Sequence, residues 1–461
     1  MLLNIFLYYL DAYPRFWPWL VHICRRWRRL VFASQRDLHL RLFCTQGTPV
    51  LKTLNFWPAL PIVVEYGGSL ALGPPTSDDE ENIVAALKRS DRVNSIHLTV
   101  TKALMAKLCS IEEPFSKLEH LALLSPDGIQ LTFPSTFQWG PRLRTLHSTG
   151  IAFPALSRLL YSSRDLVDIQ LHNMVSDANL SPEALANALS RMSQLRSLSL
   201  HFRSSASRHD IGSLPSSAGG KRVVFPALSH LKFRGTSGFF NRFIVRIDPP
   251  LLRDIKTTFN GRLFLVSKLR EFIDRIEIQK LHRRAEVIFS EHAISISFTQ
   301  PGAAIPPKLR ISIEPSKWQL FSVFELCNRF GTFFSRVEDL HIHVTQLASG
   351  HDNMDCENWA RLIHLLKGVR RFHLAGNLST DVVLSLEQYR TQRETFLQKL
   401  CIRKHGPCYA PLREAVVSLM VSRRLSGCVI EVEYERQGIT YVYSQHRMLT
   451  CFEQHLVFST K

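Results

Sequence analysis

The stretch SPEALANALSRMSQLRSLSL, residues 181–200, contains the two structural elements that we expect to alternate along this chain. Its first two residues, Ser181 and Pro182, favour the start of a helix. A serine side chain caps free backbone amides, and proline lacks the amide that would stay unpaired in the first turn. This start and the sequence after it predict a helix over 181–192.

The last six residues of that stretch carry a motif that recurs along the chain. In the spacing apolar-x-x-apolar-x-apolar, the last two apolar residues lie two apart and point to one face of a short strand. Clear copies begin at Val93, Leu118, Leu166, Leu195, Leu228, Val337 and Val369, and weaker copies with a polar last position begin at Leu143 and Leu252. Up to Leu252 the copies begin 23 to 33 residues apart, and the two later intervals are 85 and 32 residues.

Recurrence of this motif every 20–30 residues or so resembles the leucine-rich repeat. Each repeat has an apolar face that it cannot bury alone, so the repeats must stack. Each strand also needs a crossover before the next strand can run in the same direction. We therefore predict about nine or more short, mainly parallel strands over 90–376, in a curved sheet. The long interval would hold about three repeats, because Ala285–Phe298 and Leu309–Ile313 alternate apolar and polar residues as strands do.

The repeat is irregular. The Asn or Cys expected three positions after the last leucine is missing, and Thr101, Pro126 and Met174 stand in its place. We therefore predict a degenerate leucine-rich-repeat-like solenoid, with helices or irregular segments between its strands. One such helix would run from the capping box Ser77-x-x-Glu80 to about Arg89. An ordinary α/β domain with coincidental leucine spacing is the alternative.

Composition limits the class of protein. The chain has 461 residues, and 45% of them are hydrophobic, which is too apolar for a disordered protein. Its nine cysteines occur singly, and without a secretory signal this pattern indicates reduced thiols in the cytoplasm or nucleus. The apolar start, Met1–Leu10, is about half as long as a membrane span, so we expect no membrane association.

Sequence motifs for catalysis and cofactor binding are absent. The chain contains no H-E-x-x-H, no G-x-S-x-G, no G-x-G-x-x-G and no C-x-x-C. We expect a protein that is not an enzyme and that has no cofactor. His341 and His343 lie on one strand face and could ligate a metal. Without a carboxylate or cysteine at a set spacing, however, we predict no metal site.

The net charge of +18 raises the alternative of a basic, nucleic-acid-associated protein. Apart from one dense run, Arg25–Arg29, the excess of basic residues is spread thinly along the chain. No RNA-binding signature or basic-zipper pattern accompanies this run. A solvated, moderately basic surface is the interpretation that we favour.

The first 45 residues differ from the repeats. Residues 2–10 predict a helix that ends before Pro14, and Pro18 can begin a second helix. The second helix would place a stripe of Leu20, Ile23, Cys24, Trp27 and Val31 on one face. A helix pair this short cannot form a stable core alone, so we expect it to dock onto another surface.

Here the residues resemble a known family. LLNIFLYYLD at 2–11 and WPWLVHICRRWRRLVFAS at 17–34 resemble the F-box, above all in the L-x-x-[VI]-C-[RK]-x-W run from Leu20 to Trp27. The segments at 36–66 and 412–435 look like the corresponding parts of fungal F-box/leucine-rich-repeat-like proteins. The Leu-Pro pair that normally opens an F-box would precede Met1, so we expect an F-box truncated at its N-terminus.

The resemblance implies a fold and a function. The fold would be α/β, with N-terminal F-box helices followed by the degenerate leucine-rich-repeat-like solenoid. Its parts would be an F-box-like segment at 1–45, a connecting segment at 46–76, and a repeat domain at 77–461 with a C-terminal cap from about 410. The function would be substrate recognition in an SCF-type cullin–RING ubiquitin ligase. In that role the F-box binds a Skp-type adaptor, and the repeats bind the target protein. Position by position, the adaptor contacts would be Leu2, Leu3, Ile5, Phe6, Leu20, Ile23, Cys24 and Trp27.

Two alternatives stay open beside the ligase function. One is a repeat scaffold that binds proteins through the same repeats, with a vestigial F-box and no role in ubiquitin chemistry. The other is the basic, nucleic-acid-associated protein.

Histidines and basic residues flank the last two apolar positions of many repeats. In leucine-rich repeats these positions line the concave face, where partners bind. We predict a basic, histidine-rich groove for an acidic segment of a protein partner, and solvated polar positions filled by chance are the alternative. The predicted groove residues are His97, His147, Lys232, Lys256, His341, His343 and His373. If these histidines titrate near their usual pKa of about 6.5, partner affinity should rise between about pH 7.5 and 6.

Overall fold

In a computed structural model, the chain forms two compact units. Unit 1 comprises Met1–Lys232 with Arg246–Leu251, and unit 2 comprises Phe233–Val245 with Leu252–Lys461. The structure describes residues 2–13, 17–34, 38–57, 59–67, 73–108, 110–111, 113–125, 140–151, 153–174, 181–203, 222–260, 267–276, 283–290, 293–300, 308–314, 323–324, 326–328, 330, 334–345, 359, 361–363, 368–376, 379–388, 397–403, 410–425, 430–436 and 439–443.

Unit 1 alternates strands with helices. Its strands are β1 (Leu40–Phe43), β2 (Ile62–Tyr66), β3 (Val93–Thr99), β4 (His120–Leu124), β5 (Thr145–Thr149), β6 (Asp168–Met174), β7 (Ser197–Phe202), β8 (Val223–Val224), the first half of β9 (His230–Gly235), and β10 (Ile247–Asp248). Its helices are α1 (Leu2–Ala12), a 3-10 turn (Trp17–His22), α2 (Arg25–Ala33), α3 (Val50–Phe56), α4 (Ser77–Leu87), α5 (Lys102–Leu108), α6 (Phe153–Ser162) and α7 (Pro182–Leu189).

The strands of unit 1 lie side by side in chain order, β1-β2-β3-β4-β5-β6-β7-β9. Every pairing from β1 to β7 is parallel. In each motif the last two apolar residues face the core, as in Leu121 and Leu123 or Leu198 and Leu200, all at most 2% exposed. The predicted recurrence of short parallel strands is confirmed here. Two further strands of the same sheet, β1 and β2, precede the first motif copy.

Three helix starts were predicted, at Ser181, Ser77 and Pro18, and two of them differ in the structure. No α-helix begins at Pro18, because Trp17–His22 forms a 3-10 turn, Cys24 is extended, and α2 begins at Arg25. In α7 the side chain of Ser181 accepts a hydrogen bond from the Ala184 amide, with Pro182 in the first turn, as expected. Helix α4 is instead capped one residue early, by Thr76 and the Asp79 carboxylate. Threonine and aspartate at these positions satisfy each other's backbone amides in the same reciprocal way.

The N-terminal helices pack onto α3 of the same unit. Phe6 is fully buried, and its ring meets Trp27 edge-to-face with centroids 5.1 Å apart. Phe32 contacts Trp57 with ring centroids 6.0 Å apart, at the end of α3. The expectation that this short helical segment docks onto another surface is therefore met within the chain itself.

Unit 2 contains the second half of β9 and nine further strands. These are β11 (Asp254–Phe259), β12 (Arg284–Phe289), β13 (Ile294–Thr299), β14 (Lys308–Ile313), β15 (Asp339–Val344), β16 (Arg371–Ala375), β17 (Lys399–Arg403), β18 (Glu431–Arg436) and β19 (Ile439–Tyr443). The helices with printed bounds are α8 (Ser237–Arg246), α9 (Ser267–Arg275), α10 (Ser379–Gln388) and α11 (Ala410–Leu425).

The sheet of unit 2 has the order β11-β14-β13-β12-β15-β16-β17-β18-β19. From β12 through β15 to β18 the strands are parallel, but β12, β13 and β14 form an antiparallel meander. The prediction of strands in 285–313 is confirmed, and the prediction of three repeats with crossovers there is wrong. Ser290 and Ala293 close the β12–β13 connection through a backbone hydrogen bond of 3.0 Å. A connection this short permits only a hairpin, since a crossover takes a dozen or more residues.

Among the described helices, none is both long and apolar enough to cross a membrane.

Candidate partner-binding grooves

The polar face of the unit 1 sheet is built by the positions that alternate with the buried leucines. Because the strands are parallel and in register, these positions form rows across the sheet. One row runs through His97, Ala122, His147, Gln170 and Ser199. Residues two apart on one strand face the same side, so a second row lies beside it. Its members are Ser95, His120, Thr145, Asp168 and Ser197.

A groove lies on this face, with a volume of about 420 Å³. We call it the unit 1 groove, and its lining residues are His39, Arg41, Val63, Asn94, Ser95, His97, His120, Leu121, Ala122, Thr145, His147 and Asp168. Four of them are histidines that come from four different segments of the chain. The groove is therefore a product of repeat stacking, and no single stretch of sequence contains it.

Hydrogen bonds hold the side chains of the unit 1 groove in place. His147 Nε2 lies 3.0 Å from Asp168 Oδ2, and His120 Nδ1 lies 2.9 Å from Thr145 Oγ1. Burial alone would raise the pKa of Asp168, but hydrogen bonds from His147, Ser197 and Gln170 outweigh it and leave this pKa below its usual value. The carboxylate is therefore charged at neutral pH and fixes the orientation of His147.

The polar face of the unit 2 sheet is more highly charged. One row consists of Glu286, His341, His373, Cys401 and Glu433, which are register partners on β12, β15, β16, β17 and β18. The row beside it consists of Arg284, Asp339, Arg371, Lys399 and Glu431. Acidic and basic side chains are mixed in both rows.

A second groove, of about 330 Å³, lies on this face. We call it the unit 2 groove, and its lining residues are Arg284, Glu286, His341, His343, His373, Leu374, Ala375, Cys401, Ile402, Arg403 and Glu433. On its floor the Cys401 thiol donates a hydrogen bond to Glu433 Oε2 over 3.3 Å. Lys399 donates a short hydrogen bond to the other oxygen of Glu433. Burial and the Glu433 carboxylate raise the pKa of Cys401 to about 12, so this thiol is not a nucleophile.

Asp339 is the centre of the unit 2 polar face. Its Oδ1 lies 3.2 Å from His341 Nε2 and 3.1 Å from His373 Nε2. Its other oxygen lies 3.4 Å from Arg371 Nη2. The two imidazole rings are stacked, with centroids 3.9 Å apart and an interplanar angle of 5°.

Burial changes the pKa of several histidines on the polar faces. Burial lowers the pKa of His97, His172 and His373 below the usual value. For His341, burial and the neighbouring His373 and Arg284 lower the pKa to about 4. The expectation that the groove histidines gain charge between pH 7.5 and 6 is therefore wrong at His341, and at His97 and His373 burial shifts the gain of charge to lower pH. Packing in rows removes water from the rings, and the sequence pattern does not reveal that effect.

Five of the seven predicted groove residues line a groove. His97 and His147 line the unit 1 groove, and His341, His343 and His373 line the unit 2 groove. Lys232 is exposed on β9, and Lys256 lies on β11 with its Nζ 3.6 Å from Asp254 Oδ2; neither lines a described groove. Sequence reasoning missed the carboxylates beside the histidines, Asp168, Glu286 and Asp339, and it missed Glu433 beside Lys399 and Cys401. Asp339 had a signal in the sequence, because it stands two positions before His341.

The predicted adaptor contacts are only partly on the surface. Ile5 and Ile23 are 42% and 60% exposed, and Cys24 is exposed as well. Leu2, Leu3, Leu20 and Trp27 are half-buried. Phe6 is buried, so in this structure it supports Trp27 and offers no surface to a partner. Tyr8 and Trp19, which the resemblance did not indicate, are 71% and 68% exposed.

Comparisons with known proteins identify no family. No protein-family model and no curated protein matches the chain. A solved structure similar to it is the crystal structure of the leucine-rich repeat-containing protein LegL7 from Legionella pneumophila. The two share 13% sequence identity with a TM-score of 0.30, over 83% of this chain and 97% of that one. The fold assignment given above rests on strand order and register alone.

Proposed function

We propose that this chain is a non-enzymatic scaffold that binds a protein partner along the polar faces of the sheet strands in its two units. The observation that carries the proposal is the pair of grooves, each lined by histidines and carboxylates from successive strands. Imidazoles can donate or accept hydrogen bonds, and the charged side chains in the grooves favour a partner of complementary charge.

The charge pattern favours a protein over a nucleic acid. A phosphate-binding face needs unpaired Lys and Arg along one track. In unit 2, Arg371 instead lies beside Asp339, and Lys399 lies beside Glu433. A face of alternating charge matches a peptide that carries both acidic and basic side chains. Strongly salt-dependent binding of duplex DNA or RNA would favour the alternative of a nucleic-acid-associated protein.

A finer proposal concerns the N-terminal helices. We propose that they bind a Skp-type adaptor, so that the chain serves as the substrate-recognition subunit of an SCF-type cullin–RING ligase in the cytoplasm or nucleus. Support comes from the F-box resemblance and from exposed apolar side chains, namely Ile5, Trp19 and Ile23. Apolar and aromatic anchors of this kind dominate protein interfaces.

A pull-down with a purified Skp-type adaptor distinguishes this proposal from the alternative of a scaffold with a vestigial F-box. Ile23→Asp should abolish binding, since it places a charge among the exposed apolar side chains at a position that is 60% exposed. Tyr161→Asp, at a 45%-exposed position on α6, is the matched control and should bind normally. If the wild-type chain does not bind the adaptor, even with a Leu-Pro extension before Met1, the ligase proposal is wrong. The broader scaffold proposal would be unaffected.

The scaffold proposal has its own test. Partners that co-purify with the full chain are identified, and binding is then measured with the double variant His97→Glu and His147→Glu. Two new carboxylates in the unit 1 groove should weaken a groove-bound partner by at least tenfold. Tyr161→Glu adds one carboxylate on the helix side and should have no effect. Equal affinity for all three proteins would mean that the partner does not use this groove.

A further inference from the structure

We propose that Asp339, His341 and His373 form a binding site for a divalent transition metal, with Zn²⁺ as the ion that fits it. All three residues lie on the polar face of unit 2, on β15 and β16. One ligand atom from each lies within 4.8 Å of the other two. This inference is independent of the proposed function.

The sheet itself brings the ligands together. His341 and His373 are register partners on neighbouring parallel strands, and Asp339 lies two residues before His341 on the same face. Neighbouring strands are about 4.8 Å apart, which lets the two rings stack. The rings are parallel, at 5°, so one of them must rotate before both Nε2 atoms can face one ion.

The distances are compatible with a shared metal ion. Ligands at the roughly 2.0–2.1 Å that zinc keeps from nitrogen and oxygen lie about 3.3 Å from each other in a tetrahedron. The two observed separations, from Asp339 Oδ1 to the Nε2 atoms of His341 and His373, are 3.2 and 3.1 Å. Yet Asp339 Oδ1 and His341 Nε2 are both buried, and neither makes a hydrogen bond of good geometry within the described residues. Two buried polar atoms that converge without a hydrogen bond are the arrangement that a shared cation would satisfy.

The surroundings support three protein ligands and one open position. Arg371 Nη2 lies 3.4 Å from the second oxygen of Asp339 and orients the carboxylate from outside the ligand set. His341 and His373 also line the unit 2 groove, so the remaining coordination position faces that groove. Three protein ligands with an open position are typical of zinc sites that bind water or a carboxylate from another molecule.

The Arg284 guanidinium should weaken metal binding at this site. Arg284 Nη2 lies 3.4 Å from His341 Nδ1. A His341 that binds metal through Nε2 carries its proton on Nδ1, so the guanidinium must move away on binding. Arg284→Gln should therefore bind Zn²⁺ more tightly than the wild-type chain, by roughly threefold or more, because it also removes a nearby positive charge.

The experiment is a Zn²⁺ titration of the chelator-treated full chain against a chromophoric chelator. Asp339→Asn, His341→Gln and His373→Gln should each weaken binding on the order of 100-fold, as expected for loss of a metal ligand. His343→Gln is the matched control, since His343 lies on the same face and its Nε2 is 3.6 Å from Glu286. It should bind as the wild-type chain does. Circular dichroism melts of all variants show whether each one is folded.

Cobalt provides a second readout that does not depend on affinity. Co²⁺ in a site of this kind should give the visible absorption of a four-coordinate ion, and His373→Gln should remove it. Zn²⁺ that binds equally well to the wild-type chain and to all three ligand variants would be held by other histidines. That result, or no binding at about 1 mM Zn²⁺, would overturn the proposal.

Discussion

The two units use the same apolar frame and differ in the side chains on their polar faces. In unit 1 the parallel strands follow one another in chain order, and on the polar face His147 lies 3.0 Å from Asp168 and Arg41 lies 3.5 Å from Glu65. In unit 2 a meander interrupts the parallel order, and Asp339 alone lies near three partners. The repeat therefore determines which face of the sheet each side chain points to. The charge of the polar face depends on positions at which the repeat does not specify the residue type.

The largest expected effect concerns the cores, which differ in the size of their side chains. In unit 2, Phe240 packs between Phe233 and Phe259, with ring centroids 4.7 and 5.5 Å away. Phe240→Ala should lower the free energy of unfolding by about 3–5 kcal/mol, and Leu198→Ala in unit 1 by about 2–5 kcal/mol. Urea denaturation measures both. A loss under about 1 kcal/mol in either variant would contradict the assignment of that side chain to a packed core.

A second comparison concerns glycines that directly follow a strand in each unit. Gly67 and Gly376 have φ values of +85° and +104°. A Cβ at Gly376 would lie 2.2 Å from the Val344 carbonyl oxygen, whereas at Gly67 it would meet the rotatable Thr99 hydroxyl. Gly376→Ala should therefore cost about 3 kcal/mol, and Gly67→Ala about 1–2 kcal/mol.

The control for these glycines is Gly47→Ala, where a Cβ meets nothing within 4 Å. Its free energy of unfolding should change by less than about 0.5 kcal/mol. Thermal melts would refute the account of strand ends if all three variants lost the same stability.

The carboxylates on the two polar faces should also differ. Asp168 pairs with a His147 side chain that is 45% exposed, so Asp168→Asn should cost less than about 1 kcal/mol. Asp339 is only 13% exposed and lies beside Arg371 and two histidines, so Asp339→Asn should cost more. Denaturation in metal-free buffer tests the order of the two losses. A larger loss at Asp168 would reverse the contrast between the faces.

The smallest effect is a pH dependence of stability in unit 1. Burial lowers the pKa of His39 and of His172 in the folded chain. The unfolded chain then binds more protons below its usual pKa of about 6.5, so stability is full above that pH and falls as the pH is lowered through the folded pKa values. Urea midpoints at pH 7.5 and 5.5 should differ less in His39→Gln and His172→Gln than in the wild-type chain. An unchanged difference would show that other groups cause the acid sensitivity.

The positions of the strands could be predicted from the sequence, because the motif specifies both the spacing of the apolar residues and the face to which they point. The buried pairs, such as Leu340 and Ile342, and the polar positions, such as His341, follow directly from it. The antiparallel meander did not follow, because alternation is the same in a hairpin strand and in a parallel strand.

The sequence predicted which histidines lie on the polar faces but not which residues they contact across the strands. The sequence offered His341 and His343 as a candidate metal pair and predicted no metal site, whereas the structure places His341 against His373, a residue of the next strand. Register between strands decides such pairs, and no local pattern encodes it. The Asp339-x-His341 spacing was visible in the sequence. It indicates a three-residue cluster only when the register of the strands places His373 beside it.

Site-specific photo-crosslinking tests the central claim, that partners bind the polar faces of the sheets. A photoreactive residue is introduced at Gln170, on the polar face of unit 1, or at Tyr161, on the helix side of the same unit. The account predicts that a co-purified partner is crosslinked from position 170 and not from position 161, and that the variant with His97→Glu and His147→Glu reduces the crosslink at least tenfold. Crosslinks from position 161 alone, or equally from both positions, would contradict it.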